Sequence, residues 1–408
     1  MISPPSPMAH FSIDATKREA LTASRAEELL RDLSAGITSV KLSGVSFGDG
    51  SAPVAAEALS RAAATLRDVD LSDIIASRPE DEAKRALTVI ADALSICDAL
   101  RSLNLSDNAL GAKGIRALGS LLAGRAELQE LLLCNNGLAA DAGDLIASAV
   151  LETAPTKLKK LHFHNNLLET AGSVALAPIV DNSPMLEDFR FSSLRLGRDG
   201  SVRICKALHP RLGETLRHLN LSDNTFGEEG AEALADVLGD AAVLETLLLR
   251  DDALGDDGVQ AVCKALVHGA PRLFKLDVSG NEMEAGAARQ LGKLVSVGRL
   301  TEVLAEDNEL GSSGACALAR EISEEARVEV LDVSSSEIGG RGALRLATAV
   351  QELEGLKTLR MDANCIPRSV VEQVEELLGE RLGGLEENDE EGEESEEEED
   401  EEDEDAED

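Results

Sequence analysis

Residues 100–122 read LRSLNLSDNALGAKGIRALGSLL, and this stretch decides the fold. Leu100, Leu103 and Leu105 alternate with polar residues, which predicts a short strand with its leucines on one face. Asn108 follows as a turn residue, and a segment with helical periodicity comes next. The stretch is therefore predicted to form a unit of strand, turn and helix.

The pattern L-x-x-L-x-L-x-x-N-x-L returns twelve times, at intervals of 27 to 34 residues. Its first apolar positions are Ile37, Leu66, Leu100, Leu128, Leu158, Leu186, Leu216, Leu244, Leu273, Leu300, Val328 and Leu356. This period is typical of long leucine-rich repeats of the ribonuclease-inhibitor-like type. We predict an α/β solenoid shaped as a horseshoe, with a parallel sheet on the inner wall and helices on the outer wall.

The pattern predicts three parts of the chain. Residues 1–36 form an N-terminal segment, in which 17–33 is predicted to be an amphipathic capping helix. The repeat domain covers 37–385 and is predicted to close with a second helix at 369–382, because end repeats otherwise expose apolar faces. Residues 386–408 are predicted to be a disordered acidic tail.

Charge restricts the possible partners. The 408 residues include 39 Lys and Arg against 77 Asp and Glu, and 19 of these acids lie in residues 386–408. Removing those 19 leaves 58 acidic against 39 basic residues, a net charge of −19 for the repeats. Such a surface repels nucleic acids and anionic membranes and attracts basic proteins, so we expect no nucleic-acid or membrane partner.

Composition excludes several other classes. The chain has seven Phe and no Tyr or Trp, so it lacks the residues that build base-stacking surfaces. No apolar run is long enough to span a membrane, and the start MISPPSPMAHFS does not resemble a signal peptide. We predict a soluble, intracellular protein. The six cysteines show no C-x-x-C pair, which predicts reduced, buried thiols and no metal site.

The sequence contains no catalytic signature. G-x-x-x-x-G-K-[ST], G-x-S-x-G and paired histidines at zinc spacing are all missing, so we do not expect a stand-alone enzyme. His162 and His164 lie two apart on one predicted strand. Two histidines alone make a poor metal site, and we interpret them as surface polar residues.

One position of the repeat carries a run of acidic and amide residues. It precedes the turn asparagine, at the carboxyl ends of the strands, and we call this column the rim. From the second repeat to the twelfth the rim consists of Asp73, Asp107, Asn135, Asn165, Ser193, Asp223, Asp251, Gly280, Asp307, Ser335 and Ala363. Such a ladder is either a solvated edge of an acidic protein or a docking surface for a basic partner.

Two further features concern the turns. The turn asparagines are interpreted as structural, because their side chains can satisfy backbone groups. They are Asn108, Asn136, Asn166, Asn224, Asn281, Asn308 and Asn364. The second repeat instead has an insertion, predicted to be a loop over 74–81 that carries Arg78. Insertions in repeat proteins often contact the ligand.

Four short motifs and an acidic tail after the last repeat occur together in this chain. The motifs are FSID at 11–14, SDIIASR ending in Arg78, LSDNALG at 105–111 and LLLCNNGL at 131–138. With them the chain resembles the Ran GTPase-activating proteins. The insertion in the second repeat together with the doubled asparagine in the fourth is the specific part. The resemblance covers essentially the whole chain from residue 9 and is to the short, fungal-like form without a nuclear-envelope targeting domain.

The resemblance implies a function. Family members dock on the GTP-bound form of Ran and accelerate its GTP hydrolysis, which supports nucleocytoplasmic transport, and a Ran-binding co-activator is a further expected partner. They use an asparagine to hold the catalytic glutamine of the GTPase, with no arginine finger. GTP and Mg²⁺ are bound by the partner, so no cofactor is expected here. A monomer is expected in the cytoplasm, with association at the nuclear periphery as a second expectation.

By motif, the catalytic asparagine corresponds to Asn135, and Arg78 corresponds to the loop arginine that supports the interface near the nucleotide. The resemblance also implies rim contacts with basic residues of Ran. The predicted contacts are Asp73, Asp107, Asn165, Asp223 and Asp251. One departure is Glu80, which stands where family members carry a basic residue.

The alternative hypothesis is a leucine-rich-repeat scaffold or inhibitor that binds a basic protein. Inhibitors of this type are rich in cysteine and use Trp and Tyr as anchors. The scattered cysteines and the lack of both aromatic types argue against this hypothesis.

Overall fold

The computed structural model describes residues 9–13, 18–385 and 388. The strands are β1 (His10–Ser12), β2 (Glu19–Ala20), β3 (Ser39–Lys41), β4 (Val45–Ser46), β5 (Asp68–Asp70), β6 (Ser102–Asn104), β7 (Glu130–Leu132), β8 (Lys160–His162), β9 (Asp188–Arg190), β10 (His218–Asn220), β11 (Thr246–Leu248), β12 (Lys275–Asp277), β13 (Glu302–Leu304), β14 (Val330–Asp332) and β15 (Thr358–Arg360). The helices are α1 (Ala23–Leu29), α2 (Ala52–Ala62), α3 (Glu80–Leu94), α4 (Gly111–Ala117), α5 (Gly119–Leu122), α6 (Ala140–Val150), α7 (Glu169–Asp181), α8 (Arg198–Glu214), α9 (Gly227–Leu238), α10 (Gly255–His268), α11 (Ala285–Ser296), α12 (Gly311–Glu321), α13 (Gly340–Val350) and α14 (Arg368–Leu378).

The described chain divides into two compact units, and the first comprises the described residues within 1–254 together with 268–273. Its strands pair in parallel and in chain order from β1 through β3 and β5 to β11, while β2 pairs with β4. The register aligns the central apolar residue of each strand, as in Val69, Leu103 and Leu131, and all three are buried. The predicted strand, turn and helix unit is confirmed.

The second unit comprises the described residues within 255–267 and 274–408. Its strands β12 to β15 also pair in parallel and in chain order. Leu276, Val303 and Leu331 occupy the aligned central position and are buried. The same leucine-rich-repeat α/β architecture therefore extends through both units.

The few aromatic residues serve mainly as core. Phe163, Phe189 and Phe191 are fully buried on β8, β9 and their continuations. The rings of Phe163 and Phe191 meet edge to face at 5.9 Å, and those of Phe189 and Phe191 stack at 5.2 Å. Such pairs add about 0.5–1.5 kcal/mol beyond the area that they bury.

The predicted N-terminal capping helix over 17–33 is wrong in extent. Among the described residues of this range only α1 is α-helical, and Thr22 caps it by accepting a hydrogen bond from the Arg25 amide at 3.3 Å. Glu19–Ala20 is extended because β2 pairs with β4, and His10–Ser12 adds a strand beside β3. The N-terminal cap therefore combines strands with a short helix.

Two other boundaries also need correction. The predicted loop over 74–81 ends earlier, because α3 begins at Glu80 after Pro79. At the C-terminus α14 ends at Leu378, since Gly379 adopts a φ of +54° that stops the helix before the predicted residue 382. The predicted acidic tail, residues 386–408, lies outside the described residues apart from Asn388.

The cysteines only partly follow the prediction. All six are free thiols, and Cys97, Cys205 and Cys263 are buried as expected. Cys365, however, is exposed, because it follows the last turn asparagine at the surface. Within the part of the chain that the structure describes, no helix has the length and apolar character needed to cross a bilayer.

Candidate functional site: the polar rim

All rim residues share one backbone conformation. In each described repeat from the second to the twelfth, the rim residue has a φ between +52° and +66°, in the left-handed region. Asn, Asp and Gly reach this region at lower cost than other residues. The preference of the rim for Asp and Asn therefore has a structural cause, which the sequence analysis missed although the recurring Asx and Gly residues were its signal.

The turn asparagines lie directly below the rim and are structural, as predicted. Asn136 is fully buried; its Oδ1 accepts from the Asn108 amide at 3.0 Å, and its Nδ2 donates to the Leu105 carbonyl at 3.0 Å. Asn108 serves the insertion of the second repeat, because its Oδ1 accepts from the Ile74 amide at 2.9 Å. Each asparagine thus ties its own turn to the preceding repeat.

Asn135, by contrast, is exposed, and its side chain joins a line of hydrogen bonds along the rim. Its Nδ2 donates to Asp107 Oδ1 at 2.9 Å, and its Oδ1 accepts from Asn165 Nδ2 at 3.0 Å. The structure therefore brings together three of the predicted site residues. We call Asp107, Asn135 and Asn165 the amide ladder.

The first rim residue has a partner that sequence reasoning missed. Arg18 donates from Nε to Asp73 Oδ2 at 3.0 Å and from Nη2 at 2.5 Å. Asp73 is 21% exposed and Arg18 is 58% exposed. No sequence signal pointed to Arg18, since it lies 55 residues before Asp73 in the chain and the pairing depends on the fold of the N-terminal cap.

Arg78 lies close to the rim, but its guanidinium donates hydrogen bonds to groups of its own chain. Its Nη2 donates to the Ser46 carbonyl at 2.7 Å and to the Leu21 carbonyl at 3.3 Å, and its Nε donates to Ser46 Oγ at 3.1 Å. The Glu82 carboxylate accepts from Nη1 at 3.3 Å, and the Arg78 side chain is only 16% exposed. Arg78 therefore links the inserted loop to β4 and to the N-terminal segment.

A cleft of about 770 Å³ lies beside these residues, between α3 and α4. Arg18, Asp73, Arg78 and Asp107 all line it. Glu80 is also at the cleft and pairs with Lys113 at 2.6 Å, a bond that lowers the pKa of this carboxyl group. The predicted departure at Glu80 thus places an acid in contact with a lysine of the next repeat.

The remaining predicted contacts lie further along the rim. Asp223 and Asp251 are exposed and follow β10 and β11. Asp251 accepts a hydrogen bond from Arg250 Nε at 3.3 Å. Both carboxylates lie on the same edge of the sheet as the amide ladder. Among the described contacts, neither forms a hydrogen bond with a ladder residue.

The two histidines of β8 and its continuation are bonded to neighbours on the next strand. His162 Nε2 lies 2.9 Å from Asp188 Oδ1, and His164 Nδ1 lies 3.0 Å from Ser192 Oγ. Burial, with a contribution from nearby Arg190, lowers the pKa of His164. Among the described residues, no group of three or more His, Cys, Asp or Glu side chains could hold a metal ion.

The fold and the site define a leucine-rich-repeat protein with a polar rim at the carboxyl ends of its strands. The family profile described as Leucine Rich repeat matches residues 99–119 and 214–235. The chain is 37% identical over 387 residues to RAN GTPase-activating protein 2 of Arabidopsis thaliana, covering 93% of this chain and 70% of that protein. It therefore belongs to the Ran GTPase-activating protein family.

Two further relatives are more distant. Ran GTPase-activating protein 1 of Saccharomyces cerevisiae is 29% identical over 294 residues, covering 67% of this chain and 70% of that protein. The ribonuclease inhibitor of Sus scrofa is 26% identical over 310 residues, covering 75% of this chain and 66% of that protein.

Proposed function

We propose that this protein activates GTP hydrolysis by the GTPase Ran, with Asn135 as the residue that acts on the catalytic site of the GTPase. Family membership supports the activity, and the observation that carries the assignment is the exposed, hydrogen-bonded amide of Asn135 on the rim. A neutral amide can both donate to and accept from a glutamine side chain. In this proposal Asn135 restricts the catalytic glutamine of Ran to its reactive orientation.

The proposed mechanism is one of positioning. Holding a reacting group in place removes orientational freedom before the reaction, and a misplacement of 1 Å can cost about 100-fold in rate. The backbone of Asn135 supports this role, because its amide donates to the His164 carbonyl at 2.8 Å and so fixes the rim residue to the next repeat. Ran supplies GTP and Mg²⁺ and remains the enzyme, while this chain contributes its residue in trans.

Arg78 has a supporting role in the proposal. An arginine finger must leave its own protein and reach the transferred phosphate. The Arg78 guanidinium donates to two carbonyl groups, a hydroxyl and a carboxylate within its own chain. We assign Arg78 to holding the inserted loop and the N-terminal segment beside the rim.

The chemistry of the rim fits a basic partner. Asp223 and Asp251 are exposed carboxylates on one edge of the sheet, and Asp73 is partly neutralised by Arg18. Complementary charge mainly raises the association rate and orients the partner. We propose the GTP-bound form of Ran as that partner and a Ran-binding co-activator as a further partner. In this proposal the activator itself is a monomer and acts in the cytoplasm or at the nuclear periphery.

Single-turnover hydrolysis by Ran loaded with GTP tests the proposal. Catalytic amounts of the wild-type protein should accelerate the reaction, and Asn135→Gly should lose about 100-fold or more of the acceleration. Glycine is the better replacement because it tolerates the left-handed backbone at this position, where φ is +53°. Asp144→Asn, an exposed change on α6 of the same repeat, is the matched control.

The second candidate function is a scaffold or inhibitor that binds a basic protein. Similarity to the ribonuclease inhibitor of Sus scrofa over 75% of this chain favours it as the alternative. If the folded wild-type protein binds GTP-loaded Ran or another basic protein without accelerating hydrolysis, the activator proposal is wrong and this alternative replaces it.

A further inference from the structure

The amide ladder controls more than the position of Asn135. An amide has a donor end and an acceptor end of nearly equal size, so rotation by 180° about its last bond exchanges the two. A partner glutamine would meet a different hydrogen-bonding group after such a rotation. We propose that Asp107 and Asn165 are positioning residues. Together they determine that the donor end of the Asn135 amide points toward the third repeat and the acceptor end toward the fifth. The inference rests on the proposed function and deepens it.

Asp107 sets the direction of the ladder. An ionised carboxylate only accepts hydrogen bonds, so the atom of Asn135 that lies 2.9 Å from Asp107 Oδ1 must be the donor Nδ2. The oxygen of Asn135 then faces the other way, where Asn165 Nδ2 donates to it at 3.0 Å. The negative charge of Asp107 strengthens the first bond relative to one between neutral groups.

The backbone holds the three ladder residues in the same conformation and in neighbouring positions. All three ladder residues are left-handed, with φ of +64°, +53° and +56° in chain order. The amide of Asp107 donates to the Cys134 carbonyl at 3.0 Å, and that of Asn165 donates to the Ser192 carbonyl at 3.1 Å. Since neighbouring parallel strands lie about 4.8 Å apart, the three side chains stay within hydrogen-bonding reach.

The ladder leaves Asn135 with capacity for a partner. Its Nδ2 carries two hydrogens and its Oδ1 has two lone pairs, and each atom uses one of these within the ladder. Asn135 is exposed, and within the described chain one donor and one acceptor of its side chain therefore stay available. Other rim acids are bonded differently, since Asp73 accepts from Arg18 and Asp251 from Arg250.

This inference revises two predicted roles. The sequence analysis treated Asp107 and Asn165 as direct partner contacts. A direct contact would contribute to binding, so its removal should raise KM or weaken Kd. A positioning residue acts through Asn135, so its change should lower kcat with little effect on KM.

The decisive experiment exchanges the two residues. The double variant Asp107→Asn with Asn165→Asp keeps composition and net charge, and both residues tolerate the left-handed backbone. The donor end of Asn135 should then turn toward residue 165, which reverses the amide. We expect kcat for stimulated GTP hydrolysis to fall about 10- to 100-fold, because the partner groups then face mismatched or unpaired atoms. We expect the KM for GTP-loaded Ran to stay within about twofold, since the exchange keeps one aspartate and one asparagine on the rim.

The single variants keep the test decisive if the double variant fails to fold. Asp107→Asn should give a smaller loss of kcat, since its amide can still accept from Asn135. Asn165→Asp should give a larger loss, because it places an acceptor against the Asn135 oxygen. The control Asp144→Asn removes one exposed carboxylate from the same repeat and should match wild type.

Several outcomes separate this inference from the proposed function. If the wild-type protein does not accelerate hydrolysis, the proposed function is wrong and the inference falls with it. If the wild type accelerates and the exchanged variant keeps its kcat, only the inference is overturned. A rise in KM at unchanged kcat also overturns it, because Asp107 and Asn165 would then be direct contacts.

Discussion

The doubled asparagine of the fourth repeat allows stability and activity to be separated at adjacent residues. Asn136 is fully buried and Asn135 is exposed. In Asn136→Ala the buried amide of Asn108 loses its acceptor, while the Leu105 carbonyl still accepts from Asn108 Nδ2 at 2.9 Å. An orphaned buried donor costs about 1–3 kcal/mol, so the loss should be about 2 kcal/mol. Asn135→Gly loses only exposed bonds and should stay within about 1 kcal/mol of wild type.

Urea unfolding followed by circular dichroism measures the first effect, and single-turnover hydrolysis with Ran measures the second. Asn136→Ala should unfold at a lower urea concentration and still accelerate hydrolysis when folded. Asn135→Gly should unfold near the wild-type midpoint and lose acceleration. An unchanged midpoint for Asn136→Ala would refute the reasoning from buried hydrogen bonds. Equal loss of activity in both variants would refute the separation of roles.

Four further predictions concern other parts of the chain. Native alkylation at neutral pH should label Cys365 before Cys205, because burial raises the pKa of Cys205 to about 12; early labelling of Cys205 in a peptide mass map would contradict this. His164→Gln should reduce the loss of stability between pH 7 and pH 5: burial lowers the pKa of His164 in the folded state, so the unfolded chain takes up its proton first as the pH falls. The comparison of urea midpoints at the two pH values checks the sign. Arg78→Ala should lower stability by about 2–3 kcal/mol, since it removes hydrogen bonds to two backbone carbonyls and a hydroxyl; an unchanged melting temperature would show that these bonds are dispensable. Truncation after Leu385 should slow association with GTP-loaded Ran at low salt, with the difference fading as salt rises; an equal stopped-flow rate at low salt would exclude a role for the tail in steering.

The repeat pattern was sufficient to predict the architecture. The alternation around Leu103 and the recurrence of Asn108 each depend on contacts that repeat every turn of the chain, so the local sequence specifies them. The caps were predicted less well, because the extended form of Glu19–Ala20 depends on pairing with β4, whose Ser46 carbonyl also accepts from Arg78. Interactions between segments far apart in sequence have no local signature.

The site divides along the same line. The different roles of Asn135 and Asn136 followed from the repeat pattern, which identifies Asn136 as the turn asparagine and Asn135 as the rim residue, and Asn136 is indeed buried and Asn135 exposed. The ion pair of Arg18 with Asp73 and the hydrogen bond of Arg78 to the Leu21 carbonyl could not be predicted. Both depend on where the N-terminal segment lies in the fold. The direction of the amide ladder required side-chain distances across repeats.

The left-handed backbone of the rim has a consequence for protein engineering. Its positive φ is needed to turn the chain from strand into helix, so few residue types are tolerated there without strain. A lysine at Asp223 would lack the local hydrogen bonding that helps Asp and Asn adopt this conformation, and would add backbone strain of up to about 1–2 kcal/mol to any electrostatic effect. A designer who wishes to redirect this surface to an acidic target should therefore change a residue just before the rim, such as the half-buried Ser222 after β10, whose backbone is not left-handed. The replacement has to compensate for one lost contact, because the Ser222 hydroxyl accepts from the Arg250 amide at 3.2 Å.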